Sequence, residues 1–191
     1  MSAANIGRLV IISGPSGAGK STVVRELLAT CSLPLQRSVS ATTRQPRPGE
    51  RDGVDYHFLS HDEFARRRAR GDFLECKEVY GRGDWYGTLA APVTAGLAGG
   101  KWVVLEIDVE GAQSVVEHYP DAITVFVHSG SLAELERRLR SRGTETEDST
   151  RRRLEVAERE LQFAPQYRHA VVNDTVAAAA QRICDLLRKY L

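Results

Sequence analysis

The sequence predicts an α/β protein built on a parallel sheet flanked by helices, and three observations carry that expectation. Short, almost wholly apolar runs recur along the chain: LVII at 9–12, WVVLEI at 102–107 and AITVFV at 122–127. Strands buried on both faces read this way. Amphipathic stretches of helical period lie between them, so strand and helix alternate and the strands run parallel through right-handed crossovers. The first run also breaks abruptly into glycines, SGPSGAGKST at 13–22.

Gly14, four residues, then Gly19, Lys20 and Ser21 make up the phosphate-binding loop pattern. A loop running through Pro15, Ser16, Gly17 and Ala18 can curl its backbone N–H groups around the α- and β-phosphates of a nucleotide such as ATP. Glycine serves there because the backbone needs positive φ and must approach the ligand closely. Lys20 is expected to reach the β- and γ-phosphates. Ser21 is expected to hold Mg²⁺, whose remaining ligands come mostly from nucleotide and water. Thr22 follows in the first turn of a helix whose positive end faces the anion. The alternative, a strand, turn and helix without ligand, is disfavoured by the amphipathic Val23, Val24, Leu27 and Leu28 that follow. The motif does not name the phosphate acceptor.

The chain has 191 residues, enough for one core with a small inserted subdomain. Lys plus Arg (26) nearly balances Asp plus Glu (25), which argues against a nucleic-acid or membrane surface and makes any phosphate recognition local. Cys31, Cys76 and Cys184 are odd in number and far apart, so neither a disulfide nor a zinc site is expected. They read as small core or surface residues of a reducing compartment. The start, MSAANIGRLVII, lacks the pattern of a secretory signal, and its apolar run is too short to span a bilayer, so a soluble cytoplasmic protein is expected. Oligomeric state is not legible.

The elements follow in order. A helix over 20–30 is ended by SLP at 32–34, and a β-prone run occupies 38–43. RQPRPGERDG at 44–53 has the composition of a solvated loop, yet its prolines stiffen Arg44 and Arg47 beside a strand end, which suits a bidentate grip on phosphate. VDYHFL at 54–59 alternates as a strand. Ser60 and Glu63 form a capping box for a helix to about 70, closed by Gly71. Residues 73–80 alternate again, and a glycine-rich connection at 81–84 leads to 85–88. Residues 38–88 therefore read as a mainly antiparallel insert. A helix over 90–99 tolerates Pro92 in its first turn. The strand at 102–108 places Glu106 and Asp108 at its C-terminal end, where open α/β sheets bind ligands. A helix over 111–118, a strand over 122–127, a helix from the Ser131 capping box to Arg142 and a helix from about 149 to 164 come next. A short strand at 170–174 and a terminal helix over 176–190 complete the chain.

A kinase for a phosphorylated acceptor brings two polyanions together and needs two sets of cations besides any metal. Arg44 and Arg47 supply one. Arg138, Arg142 and Arg153, flanking the polar stretch 144–148, supply a second that reads either as solvated helix faces or as a closing lid.

Seven segments carry a resemblance over nearly the whole chain: SGPSGAGKST (13–22), SVSATTRQPRPGERDGVDYHF (38–58), FLE (73–75), WYGT (85–88), LEIDVEGAQSV (105–115), RLRSRGTETE (138–147) and VVND (171–174). Together they resemble the guanylate kinase family. The resemblance implies a P-loop kinase fold in a single domain, with a core of 1–37, 89–135 and 165–191, a GMP-binding insert of 38–88 and a helical lid of about 136–164. It implies Mg-dependent phosphoryl transfer from ATP to GMP, with dGMP alongside. By motif position, the acceptor phosphate is expected on Arg44, Arg47, Tyr56 and Tyr86. The guanine is expected on Ser40, Glu75, Thr88 and the first carboxylate of the 106–108 segment, Glu106, with Asp108 counted among the GMP-binding residues. Arg138, Arg142 and Arg153 match the family's lid and phosphate-contacting arginines, and Asn173 a residue near the adenine of ATP. A carboxylate can accept from both N1–H and the 2-amino group of guanine, which adenine does not offer. Two rivals remain: a P-loop kinase for another phosphorylated acceptor, and a related protein-binding module without catalysis. The second is expected to have a degraded loop, whereas this chain keeps Gly14, Gly19, Lys20 and Ser21.

Overall fold

The computed structural model describes residues 7–78, 83–141 and 147–191. In chain order the elements are β1 (Arg8–Ser13), α1 (Lys20–Thr30), β2 (Leu35–Arg37), β3 (Ala41–Thr42), β4 (His57–Phe58), α2 (His61–Ala69), β5 (Phe73–Glu78), β6 (Trp85–Leu89), α3 (Ala90–Ala98), β7 (Trp102–Glu106), α4 (Val109–His118), β8 (Ile123–His128), α5 (Leu132–Ser141), α6 (Glu147–Leu161), β9 (His169–Val172) and α7 (Val176–Arg188).

Among the described residues the main sheet has the order β2-β7-β1-β8-β9, with every neighbouring pair parallel. Alternation along β1 sorts its side chains between two layers. Val10 and Ile12 join Val104, Val125 and Val127 under Val23, Val24 and Leu27 of α1 and Ile183 and Leu187 of α7. Leu9 and Ile11 join Val103 and Leu105 against Val93 of α3 and Ala112 and Val115 of α4. A strand apolar on both sides is stable only in this sandwich, which is why the sequence runs show no polar alternation. Truncating Leu27, fully buried beneath the loop helix, is expected to cost about 2–5 kcal/mol.

The chain leaves the C-terminal end of β2 through residues 38–40 and enters a second sheet, ordered β4-β3-β6-β5. Ser38 N–H still donates to Val104 C=O of the main sheet (2.9 Å), and Ser40 C=O already accepts from His57 N–H (2.9 Å). In this sheet β3–β4 is parallel and the other two pairs are antiparallel. Its small core gathers Ala41, Phe64 and Leu89, with the Phe64 and Phe73 rings stacked at 4.5 Å.

Four expectations are corrected. The main sheet takes Leu35–Arg37 as its edge strand, a segment too short and with too little apolar content to announce itself. The strand expected over 54–59 is shorter, a Tyr56 bridge and β4 at His57–Phe58, because Gly53 (φ +71°) and residues 54–55 form a turn in which the Asp52 and Asp55 carboxylates take the N–H groups of Phe58 and Arg51 at 2.8 Å. Helix α6 ends at Leu161, and Pro165 sits in a following 3-10 turn, Ala164–Gln166. Cys31 and Cys184 form a disulfide. Packing of α1 along α7 brings the two together across 153 positions, a proximity that sequence spacing does not reveal.

Candidate functional site

The loops at the C-terminal ends of β1, β7, β8 and β9 meet at one edge of the main sheet, and the second sheet begins at the same edge. Between β1 and α1 the backbone turns through Gly14 (φ +136°), Gly17 (φ +92°) and Gly19 (φ +85°). A Cβ on Gly14 would lie 2.0 Å from the Val127 carbonyl oxygen, and one on Gly19 would lie 2.5 Å from Asn173 Nδ2, so space and backbone both demand glycine. Lys20 Nζ donates to the carbonyls of Gly14 and Pro15 (2.9 Å to the latter), which holds the cation over the loop. Ser16 N–H donates to Glu160 Oε2 at 3.3 Å. Burial pushes the Glu160 carboxyl up, against the opposing charge of Lys20.

Asn173, buried at the end of β9, donates from Nδ2 to Ala18 C=O (2.7 Å) and from its own N–H to His128 C=O (2.7 Å). Arg138 on α5 donates from Nη2 to Asn173 C=O (2.7 Å) and from Nε to Glu134 (2.7 Å). The structure thus brings Gly14 to Thr22, Asn173 and Arg138 together. Arg153 is partly buried on α6, and Arg142 and residues 143–146 lie outside the described residues.

Ser21 Oγ donates to Glu106 Oε1, and Glu106 Oε2 lies 3.4 Å from Arg37 Nη2. A hydroxyl backed by a carboxylate keeps its lone pairs turned outward. This is a hard-oxygen arrangement suited to Mg²⁺, which retains waters and phosphate oxygens. Among the described residues no cluster of three or more His, Cys, Asp or Glu forms an all-protein metal cage.

On the second sheet, Arg44 is fixed from three sides. Its guanidinium forks onto both Glu50 oxygens (3.0 and 3.0 Å), its Nε donates to Tyr86 Oη (3.0 Å), and it stacks over Tyr56 at 5.4 Å. The Tyr56 and Tyr86 rings meet edge to face at 5.8 Å. Burial works against the Arg44 charge, but the bonds to Glu50 and Tyr86 outweigh it and raise its pKa. Arg47 gives its N–H to Glu50 (2.7 Å) and keeps its side chain exposed at the loop rim. Glu50 was not singled out from the sequence. An acid among arginines in the 44–53 loop was the available signal.

Further along the same sheet, Glu75 pairs in register with Thr88, whose buried hydroxyl donates to Glu75 Oε1 at 2.6 Å. A Cβ on Gly111 would stand 3.1 Å from Glu75 Oε2 and 3.4 Å from Asp108 Oδ1, so this glycine makes room for two carboxylates. Asp108 caps α4 through Gly111 N–H (2.8 Å) and pairs with Lys77 (2.6 Å), which also reaches Glu110 (2.9 Å). Burial pushes the Glu75 carboxyl above its ordinary range; the Thr88 bond opposes this and the Asp108 charge adds to it. Ser40 lies partly buried in the crossing between the sheets. Of the two carboxylates at the end of β7, Asp108 lies with Glu75 beside Gly111, whereas Glu106 accepts from Ser21 at the phosphate loop. The two differ because Glu106 is still in the strand, on the α1 face, and Asp108 is already the helix cap.

The guanylate kinase family model matches residues 6–190. A guanylate kinase of Rhodopirellula baltica is 59% identical over 96% of this chain and 88% of its own length. One of Corynebacterium diphtheriae is 46% identical over 95% of each. Among solved structures, the guanylate kinase of Anaplasma phagocytophilum superposes with a TM-score of 0.79 at 30% identity, over 98% of this chain and 87% of that one.

Proposed function

The chain belongs to the guanylate kinase family and transfers a phosphoryl group from ATP to GMP, and we propose from that premise how its cleft divides the work. The loop of residues 14–22 holds ATP. Lys20 lies over the β- and γ-phosphates, and Asn173, already bonded to the loop, lies beside the adenine. Ser21, steadied by Glu106, holds Mg²⁺. When bound, that ion would neutralise charge on the transferring phosphates. Arg44, Tyr56 and Tyr86, with Arg47 at the rim, hold the phosphate of GMP. Ser40, Glu75, Thr88 and Asp108 read its base.

The observation that carries the acceptor assignment is the half-buried Glu75 at the junction of the second sheet and α4. One oxygen is satisfied by Thr88 and the other faces Gly111, where only hydrogen stands. A carboxylate so placed is costly without donors, and guanine's N1–H and 2-amino group supply two. In the reaction a GMP phosphate oxygen attacks the γ-phosphorus, the bond to the bridging oxygen breaks, and ADP leaves. Because acceptor and leaving group are both phosphates, positioning and charge neutralisation suffice without a strong general base. Lys20, Arg44, Arg138, Arg142 and Arg153 supply that charge. Residues 38–88 serve as the acceptor insert and about 136–164 as the lid, on a core of the remaining segments.

The test is turnover with Mg-ATP against GMP, dGMP, AMP and UMP in wild type and Glu75→Gln. GMP and dGMP should be used, and the variant should lose most of its preference for GMP over AMP. Unchanged selectivity in Glu75→Gln would remove Glu75 from base recognition. None of the described helices is long and apolar enough to cross a membrane. We place the reaction in the cytoplasm, where its substrates are held. The Cys31–Cys184 bond is unusual for such a compartment, so thiol trapping in intact cells tests that placement.

A further inference from the structure

Arg37 ends the edge strand β2 at the ligand-binding edge of the sheet, in register with Val104 and so on the same face as Glu106 two residues later. Its contact with Glu106 is a single one at 3.4 Å, in contrast to the two-pronged 3.0 Å grip of Arg44 on Glu50. Its Nε is buried and has no hydrogen-bond partner among the described residues. A guanidinium loosely held at one corner, with a donor shut from water and unmet, lacks an anion. Tyr56, which stacks under Arg44, lies within electrostatic reach of Glu106, Tyr86, Arg44 and Arg37, so Arg37 belongs to the same neighbourhood as the aromatic wall behind Arg44.

We propose that Arg37 is a third arginine of the acceptor-phosphate site: when GMP binds, its guanidinium leaves the Glu106 oxygen and donates to a phosphate oxygen. This rests on the reading that Arg44, Tyr56 and Tyr86 hold that phosphate. A cation at this position lies along the line on which the two phosphates must meet, where each added positive charge reduces their repulsion. Glu106 keeps its bond to Ser21 throughout. The competing role is purely local, with Arg37 doing no more than neutralise Glu106.

Calorimetric titration of GMP, without Mg²⁺ or ATP, separates the two. Arg37→Met should weaken GMP roughly tenfold or more, with ADP affinity within about twofold of wild type. The double variant Arg37→Met/Glu106→Gln should be just as weak. An unchanged GMP affinity in Arg37→Met, or its recovery in the double variant, overturns the proposal. Should Arg37→Met not fold, as judged by its thermal transition, Arg37→Lys carries the test. Charge without the planar fork should cost about threefold or more, and an unchanged affinity again overturns it. Arg44→Met, run in parallel, distinguishes the premise: an undiminished affinity there would mean that the phosphate site itself is misassigned.

Discussion

In the proposed acceptor site, Glu75 has its carboxylate favoured by guanine and disfavoured by its surroundings. Burial and the charge of Asp108 raise its pKa in the folded protein, so folding alone favours its protonated form; any stability it contributes is present at low pH and lost as pH rises through the raised value. Recognition of guanine runs the opposite way, because only the carboxylate accepts two N–H donors. GMP affinity should therefore decline on acidification from neutral pH, beginning above the ordinary carboxylate range. The phosphate of GMP titrates in a similar region, so the part that disappears in Glu75→Gln is the part due to this residue; identical pH profiles would exclude it. Lys20 offers a second residue-scale prediction. Lys20→Ala should lower kcat by roughly a hundredfold or more while GMP binds as before, and loss of GMP binding would put Lys20 in the wrong half of the cleft. The sequence made these residues legible because each lies in a compact motif. Glu50 was not, since its role is to aim another residue's guanidinium. The Ser21–Glu106 contact is likewise illegible, because motif position alone does not say on which face of a strand's end a carboxylate points.

At the scale of elements, β1, β7 and β8 announce themselves by continuous apolar runs, and α5 by its Ser131 cap, whose Oγ accepts Glu134 N–H at 3.1 Å. β2 escapes because one leucine, one glutamine and one arginine have no period to show. The loop between β1 and α1 is where backbone geometry becomes function. Gly14→Ala would place a methyl carbon 2.0 Å from the Val127 carbonyl oxygen, far inside van der Waals contact, and force the loop away from β8. ATP affinity should fall by at least tenfold, whereas GMP titration should be nearly unchanged. A loop that tolerated alanine here, with unaltered nucleotide affinity, would contradict the packing described.

For the whole molecule, the two sheets share one edge and one cleft, and the alternation of elements was enough to foresee a parallel core with an inserted, mainly antiparallel unit. The Cys31–Cys184 bond was not foreseeable, because only the packed pair of helices brings the sulfurs together. Closing so long a loop removes conformational entropy from the unfolded chain, about 5 kcal/mol in the simplest chain model. Reduction should lower the thermal midpoint measurably under conditions where a Cys31→Ser variant shows no such response. Thiol titration of the denatured chain should find one group before reduction and three after, because Cys76 is outside the bond.

That bond also turns the stretch from 31 to 184 into a covalent ring that contains both the second sheet and helices α5 and α6. A protease that cuts once within the ring opens it without releasing a fragment. A nicked molecule should therefore migrate as a single full-mass band on a denaturing gel without reductant and split into two only when a thiol is added.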